Sequence, residues 1–135
     1  MIKLETSQKQ QLDSIRKKYK IRLILAFGSQ IRGIVHRESD LDLGVLYEEE
    51  QKPLEVALDL QKVFPHHEVD LVNLNRADPL LLNEVNKECR LLAGDETDYH
   101  NFRTHAFHRY QDYKPYLRME AQLNARRLAR LKNGH

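Results

Sequence analysis

The order of apolar patterns predicts an α/β (α+β) chain, built as a small mixed sheet with flanking helices and a helical C-terminal tail. Three observations carry that prediction. Short apolar or alternating runs stand at 22–27, 41–47 and 68–74; helical periodicities separate or flank them; and 135 residues suit one core without metal or disulfide staples.

Taken in order, residues 6–19 read as a helix, with Thr6 or Ser7 as its cap and Leu12, Ile15 and Tyr19 as one apolar stripe. Arg22-Leu-Ile-Leu-Ala-Phe27 is short, apolar and bounded by Gly28, which favours a buried strand. Leu41–Tyr47 begins with alternation and reads as a second strand. Pro53 opens a helix to about Phe64, with Leu54, Ala57, Leu58 and Gln61 on one side, and Pro65 closes it. Glu68–Leu74 alternates again, as a third strand. Asp78-Pro79 pairs an N-cap with Pro at the first helical position, starting a helix to about Cys89. A short strand fits at Arg90–Ala93, and the tail from Tyr99 is helical, interrupted or kinked at Pro115.

Composition excludes whole classes. At 41% hydrophobic and 31% charged, the chain is neither disordered nor membrane-embedded, and no run approaches the ~20 apolar residues of a bilayer span. The residues at Met1–Thr6 do not begin a signal peptide, and a single cysteine, Cys89, fits a reducing cytoplasm. Cys89 reads as a small half-buried apolar residue, and His66 and His67 as solvated loop residues. The net charge of +2 conceals a split: residues 99–135 carry eight Lys/Arg against Asp112 and Glu120. That tail is +6, which leaves −4 for residues 1–98. We therefore expect a body over 1–98 and a basic helical extension over 99–135, packing on the body, a partner or both.

The densest chemical signal is Gly28-Ser29, then ten residues, then Asp40-Leu41-Asp42. A glycine after a buried strand lets backbone approach a ligand, and free N–H groups at the following turn suit phosphate oxygens. Ser29 adds a hydroxyl donor, and Arg32 is placed to add positive charge. Asp40 and Asp42, two apart on a strand, share a face at roughly 6–7 Å. Two carboxylates so placed repel unless a cation joins them, and Mg²⁺ is commonly held by one or two carboxylates plus substrate phosphates. Asp70, between apolar Val69 and Leu71, lies on a polar face of the third strand. If strands two and three are neighbours, three carboxylates meet beside one phosphate cradle, an arrangement suited to metal-assisted phosphoryl transfer.

The stretch AFGSQIRGIVHRESDLDLGVLY resembles the signature of polymerase-β-like nucleotidyltransferases, in their minimal nucleotidyltransferase (MNT) branch. Gly28, Ser29, Arg32, Gly33, Ser39, Asp40, Asp42 and Leu43 match, EVDLVNL supplies Asp70, and the likeness spans roughly residues 20–95. The tail HRYQDYKPYL is similar to the C-terminal helix of MNT antitoxins. Many relatives have Arg directly after Gly-Ser where this chain has Gln30, which bears on one phosphate contact and on no metal ligand. The resemblance implies that Asp40, Asp42 and Asp70 hold Mg²⁺ and that Gly28, Ser29, Arg32 and Gly33 bind the phosphates of ATP. It also implies that Asp70 takes the acceptor's proton. The implied product is an AMP-modified tyrosine on a HEPN ribonuclease toxin, with the chain as a cytoplasmic antitoxin. Two further readings stay open: a binding-only antitoxin, and an enzyme with a small-molecule acceptor such as an antibiotic hydroxyl.

Other patterns weigh less. Arg103, four residues, His108, one residue and Tyr110 resemble the active-site motif of HEPN toxins, yet one helix is not a HEPN bundle, and a surface helix fits better. Tyr110, Tyr113 and Tyr116 suit either an interface or the protein's own body. Leu123, Leu128 and Leu131 among arginines suggest an amphipathic docking helix; direct nucleic-acid binding lacks an aromatic platform or a second basic patch. His100, His105 and His108 lack the further ligand that a zinc set needs.

Overall fold

The computed structural model describes residues 3–28 and 40–132; Ser29, Gln30, Arg32, Gly33 and Ser39 lie outside that range. The order is α1 (Thr6–Lys18), β1 (Ile21–Phe27), β2 (Asp40–Tyr47), α2 (Pro53–Val63), β3 (Glu68–Asn73), α3 (Pro79–Lys87), β4 (Cys89–Gly94) and α4 (Glu96–Lys132). The strands form one mixed sheet in the order β3-β2-β1-β4. The β1–β2 and β1–β4 pairs are antiparallel, and β2–β3 is parallel.

Alternation on β2 separates the two faces. Leu41, Leu43, Val45 and Tyr47 are buried with Leu12 and Ile15 of α1 and with Val56 and Leu60 of α2. On the other face Leu23, Leu25 and Leu74 meet Leu82 and Val85 of α3 and Phe102 and Ala106 of α4. The central strand β1 is therefore covered on both sides, which explains its nearly continuous apolar run.

Several local expectations shift. The N-cap of α1 is Glu5, not Thr6 or Ser7. Gln8 Oε1 accepts the Glu5 backbone N–H at 3.0 Å, while Gln8 Nε2 donates to the Val63 carbonyl at 3.1 Å, so one side chain closes the turn and ties it to α2. On α2 the buried side is Val56, Leu60 and Val63, whereas Leu54 and Leu58 are 80% and 63% exposed. That helix carries two apolar stripes, and the one anchored by buried Phe64 meets the sheet. The cap at Asp78 forms as expected, accepting Leu81 N–H at 2.8 Å. His66 is exposed, but His67 packs edge-on against Phe64. The last helix is not interrupted at Pro115: it runs 37 residues through it, carried on by the strong helix formers from Leu117 to Leu123. Among the described residues no helix is long and apolar enough to cross a membrane.

Candidate active site

The polar positions of β2 and β3 meet at one end of the sheet. The parallel register sets Asp42 opposite Asp70 and Asp40 opposite Glu68. Parallel partners point to the same face, about 4.8 Å apart across the strands. Asp40, Asp42, Glu68 and Asp70 thus form one carboxylate edge, on the face that α3 and α4 cover further along.

Gly28 closes this edge from the side. Phe27 is the ladder partner of Asp42, so the chain leaves β1 directly over that carboxylate. Gly28 has φ +84°, and a Cβ built there would lie 2.5 Å from Asp42 Oδ2. Glycine is needed for two reasons, the backbone conformation and the space the carboxylate occupies. Burial first, and then the negative charges of Asp70 and Asp40, hold the Asp42 carboxyl above its ordinary range. A cation at this edge would reverse that penalty.

The donor set fits such an ion. It offers hard carboxylate oxygens, two of them in register and a third one step along the same strand face. Among the described residues no three side chains close into a complete metal cluster. An edge of this kind suits an ion whose shell is finished by substrate phosphates, the usual habit of Mg²⁺.

Two neighbours were not foreseen from sequence. Glu68 is the fourth carboxylate, and the alternation that located Asp70 also places it on the shared face. Lys87, at the end of α3, lines a cavity of about 100 Å³ with Gly28, Glu84 and Glu88, and its Nζ lies 2.9 Å from Glu84 Oε1. Its approach to Gly28 is tertiary, and no local pattern announces it. A concavity of about 510 Å³ lies between α1 and α2 on the other side of the sheet and shares no residue with the carboxylate edge.

The structure also gives Arg103 a different task from the one its motif spells. Its Nε donates to Asn86 Oδ1 at 2.9 Å and its Nη2 to the Asn86 carbonyl at 3.3 Å, and Asn86 Nδ2 donates back to the Arg103 carbonyl at 3.2 Å. This brace holds α4 to α3. His108 is five residues on, about 140° further around the same helix, so the two side chains do not converge. Beside the brace, the Tyr99 hydroxyl donates to the Cys89 carbonyl at 3.2 Å, with Sγ at 3.4 Å. Burial, followed by the Cys89 contact, pushes that phenol up to about 12. Cys89 is half-buried and free, as expected.

A glycine with left-handed backbone set against paired carboxylates is compatible with a nucleotidyl-transfer site, and the comparison with known proteins points to the same family. Residues 10–98 match the family model described as Polymerase beta, Nucleotidyltransferase. The chain belongs to that family. It is 33% identical over 95 residues to the protein adenylyltransferase MntA of Shewanella oneidensis, covering 68% of each. It is also similar to a chain in the crystal structure of a toxin–antitoxin with AMP-PNP, at 27% identity and a TM-score of 0.67 over 90% of this chain and 98% of that one. The same fold occurs in a complex of tri-AMPylated Shewanella oneidensis HEPN toxin with MNT antitoxin, at 24% identity and a TM-score of 0.65 over 93% and 99%. The expected nucleotidyltransferase fold, with its mixed sheet and long C-terminal helix, is therefore the observed one.

Proposed function

We propose that this chain is an antitoxin that moves AMP from ATP to a tyrosine hydroxyl of a cognate HEPN toxin and thereby silences it. The observation that carries the proposal is the in-register pair Asp42–Asp70, with Asp40 on the same face, under the turn at Gly28. The family supplies the reaction class, the MntA relative is a protein adenylyltransferase, and a related fold sits with an AMP-bearing HEPN toxin.

Asp40, Asp42 and Asp70 would hold Mg²⁺, which when bound neutralises phosphate charge and steadies the attacking and leaving oxygens. Gly28, Ser29, Arg32 and Gly33 bind the triphosphate, the first through backbone exposed by its missing side chain. Asp70, exposed at the open edge of the site, takes the proton of the acceptor hydroxyl. The tyrosine oxygen then bonds to the α-phosphorus, the bond to the β-phosphate oxygen breaks, and pyrophosphate leaves. Asp42, seated against Gly28, keeps its carboxylate where the phosphates arrive.

In this reading residues 1–98 are the transferase body and residues 99–135 a basic extension for the partner. The protein works in the cytoplasm, where Cys89 stays reduced. The test incubates the chain with Mg²⁺, ATP and the toxin encoded with it, and weighs the toxin. An adenylyl increment on tyrosine, absent with Asp40→Asn/Asp42→Asn, is expected. An unmodified toxin, protected equally by wild type and variant, would sink the enzymatic reading and leave the binding-only one.

A further inference from the structure

The last helix reaches the carboxylate end of the sheet by a short route. α3 passes into β4 through one residue, Glu88, whose backbone is already extended at φ −144° and ψ 93°. No loop separates the two elements, so the end of α3 and the start of β4 move together. Cys89, the first residue of β4, is the ladder partner of Phe27. On its other side Phe27 pairs with Asp42, and it leads directly into Gly28. The last turn of α3 also stands beside Gly28, since Glu84 and Lys87 line a cavity of about 100 Å³ with it.

Two residues of α4, four apart and so on one face, grip this junction. Arg103 donates from Nε to the Asn86 side chain and from Nη2 to the Asn86 carbonyl. That carbonyl belongs to the last turn of α3, where no further helical N–H reaches it. Many helices satisfy such groups by turning at a left-handed glycine, whereas α3 runs on through the extended Glu88. Tyr99 donates to the Cys89 carbonyl, and the Arg103 guanidinium lies 5.8 Å from the centroid of its ring. Attachment of α4 does not ask for these bonds, because Phe102 and Ala106 already bury it against the sheet. Arg103 is exposed, and polar contacts at exposed sites add little to stability. What they fix is the direction in which α3 ends. At the far end of the same strand, Asp98 holds α4 to Arg22 at 3.7 Å and touches no part of the junction.

We propose that Arg103 and Tyr99 are positioning residues for the carboxylate edge. Through the α3–β4 junction they set where Phe27 and Gly28 lie, and with them the space in which Asp42 is seated. That space has no slack, since a Cβ at Gly28 would lie 2.5 Å from Asp42 Oδ2. The bearing of this brace on AMP transfer rests on the function proposed above; the placement of Gly28 does not.

The test uses the full chain, Mn²⁺ alone as the probe, and glycine-labelled protein in which Gly28 is one of five amide resonances. Melting by circular dichroism confirms that each variant is folded. Arg103→Gln and Tyr99→Phe should each weaken Mn²⁺ binding by about threefold to tenfold, and both should move the metal-free Gly28 resonance while those of Gly44 and Gly94 stay. Arg103→Lys keeps one donor to Asn86 and should return affinity to within about twofold of wild type. Asp98→Asn removes a contact of the same helix away from the junction and should also stay within about twofold. The proposal is overturned if Arg103→Gln and Tyr99→Phe leave both affinity and the Gly28 resonance unchanged. It is equally overturned if Asp98→Asn disturbs them as much, because α4 would then act only by being attached. A wild-type chain that binds no Mn²⁺ would count against the function proposed above, and the Gly28 resonance would still decide the brace.

Discussion

The two sides of β2 are made from the same eight residues and do opposite things. One side is Leu41, Leu43, Val45 and Tyr47, none more than 3% exposed; the other is Asp40, Asp42, Gly44 and Leu46, half open at the Asp end. Carboxyl groups on the two sides of the sheet differ accordingly. Asp59, on the α1–α2 side, is held below its ordinary range chiefly by the hydrogen bond from Tyr19, whereas Asp42 is held above its range by burial and by Asp70 and Asp40. A carboxylate that is satisfied supports the fold. One that is crowded by its own kind costs the fold.

The comparison can be broken from either side. Asp42→Asn should abolish AMP transfer, by about three decades or more, because the interactions lost stabilise the transition state by several kcal/mol. A single-turnover assay with toxin and ATP checks this. On the opposite side, Leu43→Ala should cost about 2–5 kcal/mol in urea unfolding, yet leave transfer by the folded fraction nearly unchanged. Gly28→Ala stands between the two. It should cost about 1–2 kcal/mol for its left-handed backbone, and it should weaken Mn²⁺ binding by displacing Asp42, read by titration in the metal-free protein.

Acidity sharpens the contrast further. The raised Asp42 contributes stability that is fully present below its ordinary value near 3.8 and is lost as pH rises through its raised value. The metal-free Asp42→Asn variant should therefore melt above wild type at pH 7, with the gap closing as pH falls toward 4. Asp59 has the reverse sign: its contribution is present above 3.8 and is lost as pH falls through its lowered value. Adding Mn²⁺ at pH 7 should raise the melting temperature of wild type and not of Asp42→Asn. The smallest effect belongs to α2, where Leu58→Gln should change stability by no more than about 0.5 kcal/mol.

That last prediction marks where sequence reading failed and why. Strand positions were legible because a period of two admits only two faces, and Asp40, Asp42 and Asp70 declared theirs through apolar neighbours. On α2, Leu54/Leu58 and Val56/Leu60/Val63 each make a plausible stripe, and only the packing of Phe64 on the sheet chooses between them. The cap of α1 was missed because Glu5 depends on Gln8, a side chain also engaged 55 residues away. Adjacency of β2 and β3 was a condition in the sequence argument; their parallel register, with Asp42 against Asp70, is a tertiary fact. Arg103 was rightly read as a surface-helix residue, but its partner Asn86 comes from another helix and no local spacing reveals it.

The length of α4 has a consequence for how the molecule travels. Thirty-seven helical residues extend about 55 Å, against a radius of gyration of about 13 Å for a compact body of some hundred residues. Drag grows with reach more than with mass. The free chain should therefore diffuse as a larger particle than its 135 residues suggest, and sweep a wide capture volume before its carboxylate edge comes near a partner.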